Sequence, residues 1–208
     1  MGLHTGYIVA TATQADLLDE LARHTGEFTT GEVVARTEDA ESDDGQLDMV
    51  IGELDGRAFL IDGAMVLSTV PDMILAMSER LGTVLGCGAE TVSGSYWLTA
   101  ARDGELLRHI FVSHASMTRG MAIQDPLPFE DGESYAEGGG KGVFTAMEHF
   151  GLSPSAWLAS GPATVVRYDA TRLPQDGSIA RITQEHFERY QRPEDEWLND
   201  IVAVSKES

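Results

Sequence analysis

The chain has 208 residues, 42% of them hydrophobic, enough to bury the core of one domain. Its 34 Asp and Glu against 14 Lys and Arg leave a net charge of −20, which argues strongly against a nucleic-acid or anionic-lipid binder, because each phosphate would be repelled. The single cysteine, Cys87, excludes an internal disulfide and a cysteine zinc site.

The N-terminus lacks a basic segment followed by an apolar stretch, so no signal peptide is expected. Gly6 stands where a myristoylation signal needs Ser or Thr. No apolar run approaches the ~20 residues of a membrane span. A soluble, cytoplasmic protein is the expectation.

Tyr7-Ile8-Val9 reads as a short strand. Thr13 is placed to cap a helix over Gln14 to His24, with Asp16 in the first turn, an apolar stripe at Leu17, Leu18 and Leu21, and Gly26 as the stop. Glu32 to Ala35 is a further strand candidate. Glu38, Asp39, Glu41, Asp43 and Asp44 then follow without apolar spacing. A calcium loop counted from Asp39 would need glycine where Asp44 stands, so this stretch reads as a solvated acidic loop.

Met49 to Leu54 and Arg57 to Ile61 form a hairpin turned by Asp55-Gly56, which pairs Ile51 with Leu60 and Val50 with Ile61. Pro71 suits the first position of a helix that carries Met73, Ile74, Met77 and Leu81 and stops at Gly82. Methionines at helical spacing read as core filler. Thr83-Val84-Leu85 returns as a strand, and Gly86-Cys87-Gly88 reads as a turn holding a small packed side chain.

The stretch from Val92 to Pro128 organises the rest. Ser95 to Ala101 and Glu105 to Ser113 alternate about Asp103-Gly104, a pair that tolerates the positive φ of a two-residue hairpin turn. Counting outward predicts Ala101 opposite Leu106, Thr99 opposite Arg108, Trp97 opposite Ile110 and Tyr96 opposite Phe111. Both faces are largely apolar, which predicts a mid-sheet position. His109 would sit among Leu98, Leu107 and Phe111, a partly buried histidine with a satisfied ring nitrogen.

Beyond Pro128 the run with Glu130, Asp131, Glu133 and Glu137 is acidic, and Gly138 to Gly142 is glycine-rich. A phosphate loop would need glycine at Tyr135, Ser or Thr at Gly142 and a buried strand before it, so this reads as a loop. A helix follows over Val143 to Phe150 with Gly151 as terminator. Ser153-Pro154 begins a short helix with Trp157, broken at Gly161-Pro162. Ala163 to Tyr168 is the last strand candidate, and residues from about 170 to 208 form a polar, partly helical appendage.

Catalytic patterns are missing. Neither Gly94-Ser95 nor Gly151-Leu152-Ser153 completes a nucleophile elbow, and no H-E-x-x-H occurs. Glu148 and His149 are adjacent on a helix and splay apart. His114, Ser116 and Asp125 are the types of a nucleophilic triad, with nothing in the sequence to fix their geometry. No catalytic, cofactor or metal residue is assigned.

Four runs are suggestive together: Thr91 to Tyr96, Asp103 to Arg108, Pro126 to Glu130, and Phe150-Gly151-Leu152. They resemble, with Met49 to Asp62, a layout in uncharacterised small α+β bacterial proteins, some actinobacterial and some similar to immunity proteins of toxin systems. The likeness covers about half the chain and implies a non-enzymatic role, with no catalytic residues to carry over.

The expected architecture is a single α+β domain. A mostly antiparallel sheet is covered on one face by the helices at Gln14 to His24, Pro71 to Leu81 and Val143 to Phe150. The first functional reading is an acidic protein-binding module, an immunity-like inhibitor of a basic partner. Its surface is Glu38, Asp39, Glu41, Asp43 and Asp44 with Glu130, Asp131, Glu133 and Glu137. The second is a housekeeping protein, homodimeric through a sheet edge. The third is an enzyme or small-ligand binder with a site assembled from distant residues.

Overall fold

A computed structural model describes residues 4–26, 28–37, 49–63, 65–113, 121–130, 140–152, 156 and 161–168. The described elements are β1 His4–Ala10, α1 Gln14–Thr25, β2 Phe28–Val34, β3 Met49–Leu54, β4 Arg57–Asp62, α2 Pro71–Leu81, β5 Thr83–Glu90, β6 Ser95–Arg102, β7 Glu105–Ser113, β8 Met121–Ile123, α3 Gly140–His149 and β9 Ala163–Tyr168. The strands join in one nine-stranded sheet of order β2-β9-β3-β4-β1-β5-β6-β7-β8, antiparallel at every pairing. The fold is α+β, as expected. The appendage beyond about residue 170 and the short helix at Ser153-Pro154 lie outside the described residues.

Local chemistry accounts for the helix ends. The Thr13 hydroxyl accepts the Asp16 N–H, and the Asp16 carboxylate reaches back to the Thr13 N–H, closing a capping box. Gly26 stops α1 at φ 87°, and Gly82 stops α2 at φ 75° after Pro71 opens it. Both hairpin turns sit at Asp-Gly with positive φ, 50° and 71° at Asp55-Gly56 and 51° and 80° at Asp103-Gly104. The first hairpin has the expected register, with Ile51 opposite Leu60 and Val50 opposite Ile61.

The period of two along each strand divides the core. Ile8, Ala10, Ile51, Leu60, Val84 and Ala101 face α1 and α2, meeting Leu17, Leu21, Ile74 and Met77. Tyr7, Val9, Phe59, Leu85, Cys87, Leu98 and Ala100 face α3, meeting Val143, Ala146 and Met147. So α1 and α2 cover one face as expected, whereas α3 packs on the other. Neighbours in β1, such as Ile8 and Val9, fall in different clusters, and one helix cannot touch both.

The central hairpin departs from simple counting. Ala101 does face Leu106, but Ala100 faces Arg108, so β7 carries one extra residue, Leu107. Thr99 therefore faces His109, Trp97 faces Phe111 and Tyr96 faces Val112, in place of Arg108, Ile110 and Phe111. A slip of one residue exchanges the faces. It carries Ile110 to the α3 side beside Leu98, and His109 to the α1/α2 side beside Thr99.

The strand after α2 also runs on further than three residues. Gly86, Cys87 and Gly88 are interior to β5, not a turn, and the Cys87 side chain is buried against the α3 side. The glycines face the other way. A Cβ on Gly86 would come 2.8 Å from Ile74 and 3.0 Å from the Ser68 carbonyl. A Cβ on Gly88 would run into the Trp97 ring and lie 2.6 Å from the Thr5 carbonyl oxygen. These strand glycines let α2, its lead-in segment and an indole approach the backbone closely.

Candidate functional site

Of the nine acidic residues expected to form a partner surface, only Glu130 is among the described residues, and it is turned inward. The Arg108 guanidinium grips it with two bonds, Nε to Oε1 at 2.9 Å and Nη2 to Oε2 at 2.8 Å. Both side chains are under a tenth exposed. Oε1 also accepts the Leu127 N–H at 2.9 Å, and Arg108 Nη1 donates to the Gln124 carbonyl. Glu130 is therefore removed from the acidic surface. Its carboxylate is used to fasten residues 124–130 across the α3 side of the sheet, where Leu127 and Phe129 pack. The bulge at Leu107 makes this pair geometrically available, since without it Arg108 would point to the other face. Glu38, Asp39, Glu41, Asp43, Asp44, Asp131, Glu133 and Glu137 lie outside the described residues, as do His114 and Ser116.

The remaining candidates separate rather than converge. His109 is buried, with Nδ1 sharing a 2.9 Å hydrogen bond with the Thr99 hydroxyl. Burial, and then the Arg108 charge, push its pKa down to about 4, so the ring is neutral at pH 7. Burial raises the Cys87 thiol far above its ordinary range. Asp125 is exposed, and His149 lies on α3 with its ring 5.2 Å from those of Phe129 and Phe150. Among the described residues, no three His, Cys, Asp or Glu side chains gather so as to hold a metal ion. No described helix is long and apolar enough to cross a membrane.

A second buried carboxylate escaped the sequence reading. Asp62 closes β4, and its Oδ2 accepts both the Ser68 N–H at 2.8 Å and the Ser68 hydroxyl at 2.9 Å. Its carbonyl accepts the Met65 N–H at 3.0 Å. Asp62 thus ties the segment leading into α2 onto the sheet, where Gly6 leaves room for the Ser68 side chain. Asp62 Oδ1 is buried with no hydrogen-bond partner. Aspartate at a strand end is common, and no local pattern in the sequence distinguishes this one.

The surface has two further features. The Glu90 carboxylate accepts the Val92 and Ser93 N–H groups at 2.9 and 2.7 Å, closing the β5–β6 turn. Bonding from Ser93 first, and also from Val92 and His4, holds its pKa down at about 2, so it stays ionised. At one edge of the sheet, β2 exposes five consecutive residues, Thr29 to Val33, with Val33 itself 66% exposed. Among the described residues β9 is its one strand neighbour, and their register shifts between Thr30 and Val33. No family model, curated protein or solved structure matches the chain.

Proposed function

We propose that this chain is a non-enzymatic, acidic protein-binding module that engages a basic partner protein, in the manner of an immunity-like inhibitor. The observation that carries the reading is the balance of charge along the chain. The net charge is −20, from 34 Asp and Glu against 14 Lys and Arg. Arg108 is buried on Glu130, and Arg57 donates to the Phe150 carbonyl at 2.7 Å. Arg102 donates to the Thr83 hydroxyl at 3.0 Å, and Arg80 and Arg23 both turn to Glu20. Arg23, Arg80 and Arg102 remain exposed, so the acidic field comes from the excess of carboxylates, and that field steers a basic protein in.

This reading also sets the module in the cytoplasm, which suits a chain with one buried, unpaired cysteine. A housekeeping homodimer is less favoured, because two chains of −20 repel.

The test is a pull-down from the source organism's lysate at low salt, repeated at high salt. A parallel bait neutralises Glu38, Asp39, Glu41, Asp43 and Asp44 to their amides. A basic protein held by the native bait at low salt, released by high salt and held less by the neutralised bait is the expected result. A bound protein indifferent to both salt and neutralisation would remove the electrostatic basis of the proposal.

A further inference from the structure

We infer that Asp55 is a modification site: in the folded chain its side chain closes on the Gly56 nitrogen and reopens as isoaspartate, while the other described Asp-Gly pairs are held back by their surroundings. The inference is independent of the protein-binding reading above.

The reaction needs two groups of one dipeptide. The glycine nitrogen, on losing its proton, attacks the carboxyl carbon of the Asp side chain. A C–N bond forms and a carboxyl oxygen leaves as water, which gives a five-membered succinimide. Water then opens the ring. Opening at the former main-chain carbonyl leaves the chain running through the side-chain carbons. The product has the atoms of the starting chain, with one more carbon in its backbone path. Glycine favours the closure because it has no side chain to crowd the ring and turns freely. In a folded chain the nitrogen must also be free, and the pair must be able to leave its resting geometry by local opening.

Three Asp-Gly pairs fall among the described residues, and they differ on both conditions. Asp103-Gly104 is pinned to the end of α2. The Asp103 N–H donates to the Gly82 carbonyl at 3.2 Å, and the Gly104 N–H donates to the Ser78 hydroxyl at 2.9 Å. A Cβ on Gly104 would lie 3.0 Å from the Glu79 side chain. The nucleophile there is already engaged. Asp62-Gly63 is buried, and the Asp62 carboxylate is fixed by the Ser68 N–H and hydroxyl. The electrophile there is held, away from bulk water.

At Asp55-Gly56 neither restraint exists. Both residues are exposed, and nothing lies within 4 Å of a Cβ on Gly56. Among the described residues, neither the Asp55 side chain nor the Gly56 N–H makes a hydrogen bond. Asp55 and Asp103 rest at nearly the same φ, 50° and 51°, so their intrinsic turn preference is alike and the tertiary contacts decide between them. Conversion at Asp55 has a structural consequence. The extra backbone carbon breaks the two-residue count that sets Leu54 opposite Arg57. Arg57 in turn holds the Phe150 carbonyl at 2.7 Å, just beyond α3.

The test holds the full chain warm at pH 7 for several weeks, digests it, and places each isoaspartate by electron-transfer fragmentation. Isoaspartate at 55 is expected to accumulate about tenfold or more faster than at 103 or 62. A synthetic peptide of residues 52–59 supplies the unrestrained rate, and position 55 in the folded chain should lie within about tenfold of it. Ser78→Ala frees the Gly104 nitrogen and should raise position 103 toward position 55 without moving position 62. The native comparison decides by itself if that variant does not fold. Equal rates at 55 and 103 in the native chain, or a rate at 55 more than about tenfold below that of the peptide, would overturn the inference. A folded Ser78→Ala variant with position 103 unchanged would overturn the account of its protection.

Discussion

Thr99 and His109 face each other across the β6–β7 ladder, joined by a 2.9 Å hydrogen bond between the hydroxyl and Nδ1, because Leu107 is bulged out of register. The pair is buried, so the imidazole is held neutral, with a pKa of about 4 against an ordinary 6.5. The unfolded chain binds that proton below pH 6.5, and the folded chain binds it only near pH 4. Stability from this group is therefore complete above pH 6.5 and falls as pH drops between those values, by on the order of 3 kcal/mol in all. Urea midpoints at pH 7 and pH 4.5 check it. The native chain should lose more stability over that interval than His109→Gln, since carboxylates titrate alike in both. Equal losses would mean that the ring is accessible to protons in the folded state.

The Arg108–Glu130 pair should be asymmetric under mutation. Arg108→Met leaves a buried carboxylate without its cation, and a loss of about 3–5 kcal/mol is expected. Arg108→Met with Glu130→Leu removes both charges, and much of that loss should return, because apolar replacement of a buried pair is often neutral or better. Denaturant unfolding of the native chain, the single variant and the double variant measures this. A single variant within about 1 kcal/mol of native would place the pair in solvent-like surroundings.

Glycines of this sheet should divide by what surrounds them. At Gly88 an added methyl meets the backbone of the adjacent strand, with the Thr5 carbonyl 2.6 Å away, so relief requires the strands to part. Gly88→Ala is expected to destabilise by about 2–3 kcal/mol or more. At Gly56 nothing lies within 4 Å, and only the positive φ of 71° resists a side chain. Gly56→Ala should therefore lose about 1 kcal/mol. Thermal unfolding of the two variants side by side would show the difference, and equal losses would remove the steric account of Gly88.

Cys87 should be inert in the folded protein. Its side chain is fully buried in β5 and its thiol is raised well above the ordinary range. Iodoacetamide at pH 8 is expected to label it promptly in urea and only at the rate of unfolding in buffer. Prompt labelling in buffer would show that the β5 interior opens on its own.

Much of the fold was legible along the chain because it depends on neighbours in sequence. Thr13 and Asp16 close a capping box three residues apart, Pro71 can only begin a helix, and Asp-Gly at 55–56 and 103–104 accepts the φ values that a tight hairpin demands. The first hairpin then had its register by counting alone. Counting failed past Ala101, because both faces of β6 and β7 are apolar and a bulge there leaves no mark in the hydrophobic pattern. It failed again at Gly86 to Gly88, where glycine suggests a turn but serves close packing under Ile74 and Trp97.

The sequence by itself determined where α1, α2 and the two Asp-Gly turns lie and that the chain carries a charge of −20. Only the tertiary structure decided which side chains that charge leaves outside. Glu130 belongs to an acidic run yet is buried on Arg108, a partner 22 residues away on β7. Among the described residues β2 ends the sheet and is separated from β3, because β9, from far along the chain, enters between them. Caps and turns are settled within a few residues by hydrogen bonds and φ preferences. Face, edge and ion-pair identity are settled by packing between segments, which no local pattern encodes.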